Sequence, residues 1–172
     1  TGEDICPTVF RSMRRKGQEL PEEECKEILS SCSTGVLGLM GADGYPYAVP
    51  LNYVYADRAI YFHCAKEGHK IDCIQNDERV SFCVVQRDKV VPEMFATDYR
   101  SVIVFGRAVI VTDDLERRRA LLLLNEKYSP GLPDEGRKEI ERFWSAVCVV
   151  VMKVEHMTGK EAKRSVRERR GV

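Results

Sequence analysis

The sequence predicts a protein of the α+β class, mainly β with some helix, in which an antiparallel barrel carries helices packed on its outside. Short runs of β-branched and aromatic residues outnumber the helical patterns. The first of these runs follow one another with a tight turn between them, rather than alternating with helices as in a parallel sheet. With 172 residues the chain is long enough for one domain with a substantial apolar core.

The N-terminal part divides into an arm and a helix. Residues 1–19 are polar and mixed, and we expect them to form a loose N-terminal arm. A helix is predicted from Pro21, because proline suits a first helical turn and three glutamates follow near the positive end of the helix dipole. Its apolar residues have the spacing of one helical face: Cys25, Ile28, Leu29 and Cys32.

Six strands are predicted after this helix. The first two lie within residues 35–41 and 45–56, and the Asp-Gly turn between them is typical of a β-hairpin. Pro46 and Pro50 cannot donate to a strand ladder, which indicates an edge, a bulge or a ligand beside the second strand. The other four strands are expected at residues 58–64, 80–86, 102–111 and 147–155.

Three more helices are predicted between these strands. A short one begins near Gly68, since isoleucines follow at helical spacing. A longer one begins at Asp113, where Glu116 forms a capping box, and runs to about Tyr128. The last starts after Pro133 and places four apolar residues on one face: Ile140, Phe143, Trp144 and Val147.

The charge balance argues against a general affinity for nucleic acid or membrane. The chain has 27 basic and 27 acidic residues, and its apolar runs are too short to span a bilayer. We expect a cytoplasmic protein, since no leader pattern is visible. A basic C-terminal tail, residues 161–172, follows the domain proper at residues 20–160. Such tails are more often solvated and partly helical than nucleic-acid-binding, so nucleic acid is not an expected partner.

The stretch YFHCAKEGHKID, residues 61–72, is the main candidate for a binding site. A strand, a small-residue loop and a helix start together favour an anion, because the first helical N–H groups lack intrahelical acceptors. Lys70 in the first turn would oppose the helix dipole unless a bound phosphate compensated its charge. A plain solvated loop is the alternative. Zinc fits less well, because the spacing matches no usual zinc site. A Cys64 nucleophile also fits less well, because His63 and Cys64 are adjacent on a strand and should point to opposite faces.

The sequence as a whole resembles the pyridoxamine 5′-phosphate oxidase-like flavoproteins, most closely their nitroimidazole-resistance (Nim) branch. The resemblance covers roughly residues 12–163, and its segments are MRRKGQEL, GVLGLMGADGYPYAVPLNYVY, YFHCAKEGHKID, YRSVIVFGRA and EHMTGKEA. It implies a split antiparallel β-barrel with flanking helices, a homodimer, and FMN in a groove between the subunits. The match to the basic substrate end of the vitamin B6 oxidases is thin, so that activity is not implied.

The resemblance also implies which residues touch the cofactor. The flavin ring edge would lie along one strand, at Val49, Pro50, Leu51 and Asn52. The phosphate would be held at the strand end and helix start, by His63, Cys64, Ala65, Gly68, His69 and Lys70. The partner subunit would close the groove with Tyr99, Arg100 and Ser101. No metal is implied.

Two functions follow from this resemblance. One is an FMN-dependent oxidoreductase that takes electrons from a nicotinamide donor and reduces a small planar acceptor such as a nitroimidazole. His63 matches a strand-end histidine with a functional role in the Nim branch, so it is the candidate catalytic residue. The alternative is a protein that carries flavin or binds haem without turnover.

Overall fold

An eight-stranded antiparallel sheet forms the body of the protein. The structure, a computed structural model, describes residues 10–171, apart from the side chains of residues 168–170. The strands are β1 (Glu19–Leu20), β2 (Thr34–Met40), β3 (Pro46–Asn52), β4 (Val54–Ala56), β5 (Ala59–Ala65), β6 (Arg79–Val91), β7 (Ala96–Ile110) and β8 (Val147–Glu161). The helices are α1 (Glu22–Ser31), α2 (His69–Asn76), α3 (Asp114–Tyr128), α4 (Pro133–Phe143) and α5 (Lys163–Arg170).

The order of the strands explains how the sheet forms a split barrel. Neighbouring strands follow the path β3-β2-β6-β7-β8-β5-β4, and β1 pairs with the far end of β8. The two ends of this path, β3 and β4, are consecutive in the chain, with Tyr53 alone between them. The single strand predicted over residues 45–56 is therefore wrong in detail. It is two strands that pair with opposite edges of the sheet, and the sheet curls because one chain segment joins both edges.

Tyr53 is held at this break by a hydroxyl from α3. Its backbone N–H donates to the Tyr128 hydroxyl at 2.9 Å, and that hydroxyl lies 2.6 Å from the Ser33 carbonyl and 2.7 Å from the Tyr53 carbonyl. The Tyr53 ring is fully buried, and its own hydroxyl donates to the Leu29 carbonyl at 2.7 Å. The backbone groups that leave the ladder at the break are thus satisfied by a side chain, as burial requires.

Two apolar clusters stabilise the fold. The larger one fills the barrel, where Phe62 and Phe82 from the strands meet Ile28 and Leu29 of α1. The smaller one lies on the outside of β5 and β8, where α3 packs its Leu121 and Leu124 against them. Strand β5 therefore separates the two clusters, and successive β5 residues face different surroundings.

Most local predictions are confirmed. The Asp-Gly turn joins β2 to β3, with Gly44 at φ +84°, and the proline-containing strand β3 lies at the edge of the sheet. Asp113 caps α3 by accepting a hydrogen bond from the Glu116 amide at 2.8 Å. Strands β6 and β7 are longer than predicted, because they continue as a hairpin that turns at residues 92–95.

The two ends of the chain are attached to the barrel where the structure describes them. Residues 1–9 of the predicted arm lie outside the described residues. Gln18 is buried and donates to the Glu161 carbonyl at 2.8 Å, so the C-terminal end of the arm is not loose. Helix α5 occupies the predicted basic tail, and its Ser165 hydroxyl donates to the Asp98 carboxylate at 2.7 Å. None of the helices described between residues 10 and 171 is long and apolar enough to cross a membrane.

Replacing Tyr128 with phenylalanine should destabilise the fold. The substitution leaves the buried N–H of Tyr53 without its acceptor, and an unsatisfied buried donor costs about 1–3 kcal/mol. We expect the free energy of unfolding, measured by urea denaturation, to fall by about that amount. Tyr45→Phe is the matched control, because the Tyr45 side chain is 75% exposed. Equal stabilities for the two variants would contradict the role given to the Tyr128 hydroxyl.

Candidate functional site

The junction of β5 and α2 has the backbone geometry of an anion site. Strand β5 ends at Ala65 and α2 begins at His69, so a three-residue loop joins them. Gly68 precedes the helix at φ +124°, a conformation that favours glycine, and open space surrounds the position of its absent Cβ. No side chain caps the first turn of α2. The first amides of this helix therefore point toward a position where an external acceptor can bind.

Two side chains at the helix start have clear positions. Lys70 is half-buried, with its ammonium 5.7 Å from the centroid of the Phe62 ring. The His69 ring stacks on Tyr47 of β3, with the centroids 4.3 Å apart. Lys70 is thus the cation held at this junction, while His69 connects α2 to the edge strand.

His63 and Cys64 point to opposite faces of β5, as the alternation of a strand predicts. The cross-strand partner of His63 is Val149, which belongs to the outer cluster, and that of Cys64 is Cys148, which belongs to the barrel core. Much of the His63 side chain reaches solvent. Partial burial of its ring and, secondarily, the charge of Lys70 lower the pKa of His63, so its imidazole is neutral at pH 7.

A cavity of about 580 Å³ lies beside the end of β5. It brings together four residues predicted to contact the cofactor, namely Asn52, His63, Cys64 and Ala65. Such a volume is within the usual range for a small-molecule pocket. Asn52 is held at its rim, because its side-chain amide donates to the Ser33 carbonyl at 2.9 Å.

The other wall of this cavity comes from α3 and α4, which sequence reasoning did not assign to the site. Its residues lie on the two helices and in the segments that follow them, up to the first residue of β8: Leu121, Leu124, Asn125, Tyr128, Ser129, Gly136, Glu139, Ile140, Phe143, Ala146 and Val147. The apolar face predicted for α4 was the available signal, since Ile140, Phe143 and Val147 belong to it. Periodicity alone does not distinguish a face that covers the core from one that lines a cavity.

Arg117 fixes the end of α4 against α3. Its guanidinium lies 4.1 Å from the centroid of the Trp144 ring and donates to the carbonyls of Trp144 and Val147 at 3.0 and 3.2 Å. Trp144 is half-buried and packs against the outer cluster. The helical wall of the cavity is therefore held in place by side chains as well as by the connecting loops.

The predicted ring-contacting strand is the edge strand β3. Val49 and Leu51 turn toward the barrel core, while Pro50 and Asn52 are exposed. Pro50 lies opposite Val36 of β2, and the outer side of β3 has no neighbouring strand in the described sheet. Backbone groups on this free side can hydrogen-bond a planar ligand with its own donors and acceptors.

Tyr99, Arg100 and Ser101 lie away from this junction within one chain. Arg100 pairs with Glu161 near one end of β8, and His63 pairs with Val149 near the other. The Arg100 guanidinium forms an ion pair with Glu24 and donates to Gln86 at 3.0 Å, and the Tyr99 hydroxyl accepts from Gln18 at 2.9 Å. Tyr99 and Arg100 thus attach β7 to the N-terminal segment and to α1. Their place in a groove formed with a partner subunit stays a prediction.

The described residues, 10–171, hold no group of three or more His, Cys, Asp or Glu side chains arranged to bind a metal ion. The junction offers instead a helix start, one lysine, a neutral histidine and a largely apolar cavity. This set suits a ligand that carries both an anionic group and a flat apolar part.

Comparison with known proteins identifies the family. Residues 21–161 match the family model described as pyridoxamine 5′-phosphate oxidase. The match spans most of the chain, and the protein therefore belongs to this family. No curated protein matches the chain.

Solved structures with the same fold include proteins from three bacteria. An FAD-binding protein from Mesorhizobium loti is 26% identical, with 85% of this chain and 98% of that chain covered and a TM-score of 0.64. A candidate 5-nitroimidazole antibiotic resistance protein from Bacteroides thetaiotaomicron is 24% identical, with coverages of 83% and 85% and a TM-score of 0.68. A conserved hypothetical protein from Mycobacterium tuberculosis is 21% identical, with coverages of 90% and 92% and a TM-score of 0.77.

The titration of His63 should depend on Lys70. Lys70→Gln removes one of the two causes that lower the pKa of His63, so this pKa should rise part of the way toward its ordinary value of 6.5. Because the pKa is lower in the folded chain, the unfolded chain binds more protons just below pH 6.5, and the contribution of His63 to stability falls as the solution is acidified through that window.

NMR titration of the imidazole C–H signals measures this pKa directly. Lys66→Gln is the control, because Lys66 is exposed on the same loop and is not among the causes of the shift. Equal changes in the pKa of His63 in the two variants would contradict a specific effect of Lys70.

Proposed function

We propose that this protein is an FMN-binding oxidoreductase that takes electrons from a nicotinamide donor and reduces a small planar acceptor of the nitroimidazole type. The observation that carries the proposal is the uncapped start of α2 beside Lys70, at the end of β5, in a chain of the pyridoxamine 5′-phosphate oxidase family. The FAD-binding relative and the nitroimidazole resistance relative support a flavin and a nitroaromatic acceptor, respectively.

The phosphate of FMN fits the β5–α2 junction. Gly68 leaves room for close approach to the backbone, and the first amides of α2 have no competing side-chain cap. The positive charge of Lys70 lies at the positive end of the α2 dipole, which is unfavourable in the absence of a ligand. A bound phosphate would interact favourably with both the Lys70 ammonium and the helix dipole. The neighbouring strand-end residues, His63, Cys64 and Ala65, complete this contact.

The ring would lie along β3, where Val49, Pro50, Leu51 and Asn52 present free backbone groups and one amide. When bound, the flavin supplies the electron transfer, and the protein orients it and limits access of water. The apolar walls of α3 and α4 suit an uncharged acceptor. His63 is neutral at pH 7, so its imidazole can take up a proton or donate a hydrogen bond beside the acceptor.

A group of partly exposed apolar residues on one sheet face supports the homodimer. Val36, Met40, Ile103 and Phe105 lie on the same side of β2 and β7, and each is between 39% and 43% exposed. Cys83 of β6 connects them, since it lies opposite Val36 on one side and Ile103 on the other. A contiguous apolar sheet face of this kind is typical of an interface between subunits. In the proposed dimer, Tyr99, Arg100 and Ser101 of each subunit close the groove of the other.

Lys70→Glu should weaken FMN binding. The change replaces an attractive charge by a repulsive one, and loss of a charge-assisted hydrogen bond costs about 1.5–3 kcal/mol, or about tenfold to a hundredfold in Kd. Quenching of flavin fluorescence on titration into apoprotein measures the Kd. Lys89→Glu, on the exposed hairpin, is the matched control and should bind FMN as the unsubstituted protein does. Unchanged affinity in Lys70→Glu would overturn the phosphate site.

A reductase test separates an enzyme from a flavin carrier. Anaerobic addition of NADH or NADPH to the FMN-loaded protein should bleach the flavin absorbance, and a nitroimidazole should restore it. Flavin that stays oxidised with both donors would favour the alternative of a carrier without turnover, while the binding result would still stand.

Ile103→Asp should convert the dimer to a monomer and lower the affinity for FMN. A charge placed on an apolar interface is left without a partner, which costs several kcal/mol. Size-exclusion chromatography with light scattering gives the mass in solution. Leu115→Asp is the control, because Leu115 is 79% exposed on α3, away from the sheet face. A native chain that is monomeric at micromolar concentration would remove the groove between subunits from the proposal.

A further inference from the structure

Cys64 and Cys148 face each other across β5 and β8. They are direct cross-strand partners in the antiparallel ladder, so their side chains project from the same face of the sheet. Directly opposed residues have Cα atoms about 4.5–5.5 Å apart, and a disulfide spans Cα separations of about 4.4–6.8 Å. The backbone therefore already has the spacing that a disulfide between these two residues requires.

The two cysteines differ in exposure. The Cys148 thiol donates to the Val149 carbonyl at 3.9 Å. Cys148 is buried, whereas Cys64 is half-buried and lines the large cavity. Cys64 is therefore the more accessible member of the pair, and Cys148 is the second thiol.

Other cysteines have different surroundings. Cys83 lies opposite Val36 and Ile103, while Cys25 and Cys73 belong to different helices. The arrangement of two thiols in one cross-strand pair, with one of them on a cavity, is therefore a specific feature of the β5–β8 ladder.

We propose that Cys64 and Cys148 form a reversible dithiol–disulfide pair that stores two electrons beside the cavity. Cys64 is the attacking thiol, because it is the accessible member, and Cys148 is the resolving thiol. The pair lies at the strand end where the phosphate site is proposed, but its oxidation by a small disulfide does not depend on the proposed function.

The exchange with oxidised glutathione balances as follows. The Cys64 thiolate attacks one glutathione sulfur, the glutathione disulfide bond breaks, and one glutathione leaves and takes a proton. The Cys148 thiolate then attacks the Cys64 sulfur and releases the second glutathione, which takes the other proton. Two electrons and two protons have passed from the protein dithiol to two glutathione thiols, and one protein disulfide has formed.

Burial controls the rate of this exchange. It raises the pKa of Cys64 to about 11, so the protonated thiol predominates at neutral pH. Because the thiolate is the nucleophile, oxidation should be slow at pH 7 and should accelerate about tenfold for each unit of pH below that pKa. The pair would therefore respond to a sustained oxidant, or to one bound in the cavity.

The experiment uses the full chain without flavin, first reduced and then incubated with oxidised glutathione at pH 7.5 and 8.5. Free thiols are blocked with iodoacetamide, and peptides are mapped by mass spectrometry. We expect a peptide pair linked through Cys64 and Cys148 that forms about tenfold faster at the higher pH and disappears with dithiothreitol. Recovery of both residues as separately alkylated cysteines after prolonged exposure would overturn the proposal.

Substitutions test the order of the two steps. Cys148→Ser should stop at a glutathione adduct on Cys64, and Cys64→Ser should leave Cys148 unmodified. Cys83→Ser is the matched control and should form the Cys64–Cys148 link at the native rate. An adduct on Cys148 in the Cys64→Ser variant would overturn the assignment of Cys64 as the attacking thiol.

The link to the cofactor rests on the proposed function and has its own measurement. In the disulfide form loaded with FMN, anaerobic titration with dithionite should consume one two-electron equivalent more than in the dithiol form of the same protein loaded with FMN. Absence of bound FMN would contradict the proposed function and leave the disulfide result intact. Equal consumption by the two loaded proteins would show that the disulfide does not exchange electrons in the complex.

Discussion

The hydrogen bonds between Tyr53 and Tyr128 are the contact on which the rest of the fold depends. A strand that serves both edges of one sheet has to break, and its backbone groups at the break lose their ladder partners. Here a hydroxyl from α3 takes their place, within the buried contact between the barrel and the helix. The same bonds therefore close the barrel and attach α3 to it. Because α3 also forms one wall of the large cavity, closure of the barrel and the shape of the cavity have a common cause.

Strand β5 connects the closed barrel to the residues of the candidate site. Successive side chains of β5 point to opposite faces of the sheet. His63 therefore faces outward, on the side of α3 and α4, while Cys64 faces the barrel core. The strand then ends at a glycine-containing loop and the uncapped start of α2. A histidine, two cysteines and the proposed phosphate site thus lie near one strand end, and the alternation of the strand places His63 and Cys64 on opposite faces.

Most of the charged residues serve the structure. Arg100 is engaged by Glu24 and Gln86, and Arg107 pairs with Glu78 and Glu155 at 2.5 and 2.8 Å. From the sequence alone, these arginines could equally bind a ligand. The ion pairs show that they have partners within the protein. Lys70 differs because its nearest described partner is an aromatic ring, which leaves its charge available to an anion.

The sequence by itself determined the local elements, including the junction at which β5 ends and α2 begins. The Asp-Gly turn, the Asp113 cap, the apolar face of α1 and the start of α2 near Gly68 depend on neighbouring residues, so pattern and backbone preference suffice to predict them. The tertiary structure alone decided the break at Tyr53, the cavity wall from α3 and α4, the ion pairs of Arg100 and the pairing of Cys64 with Cys148. Each of these joins residues far apart in the chain, and one sequence carries no signal for the register that brings them together.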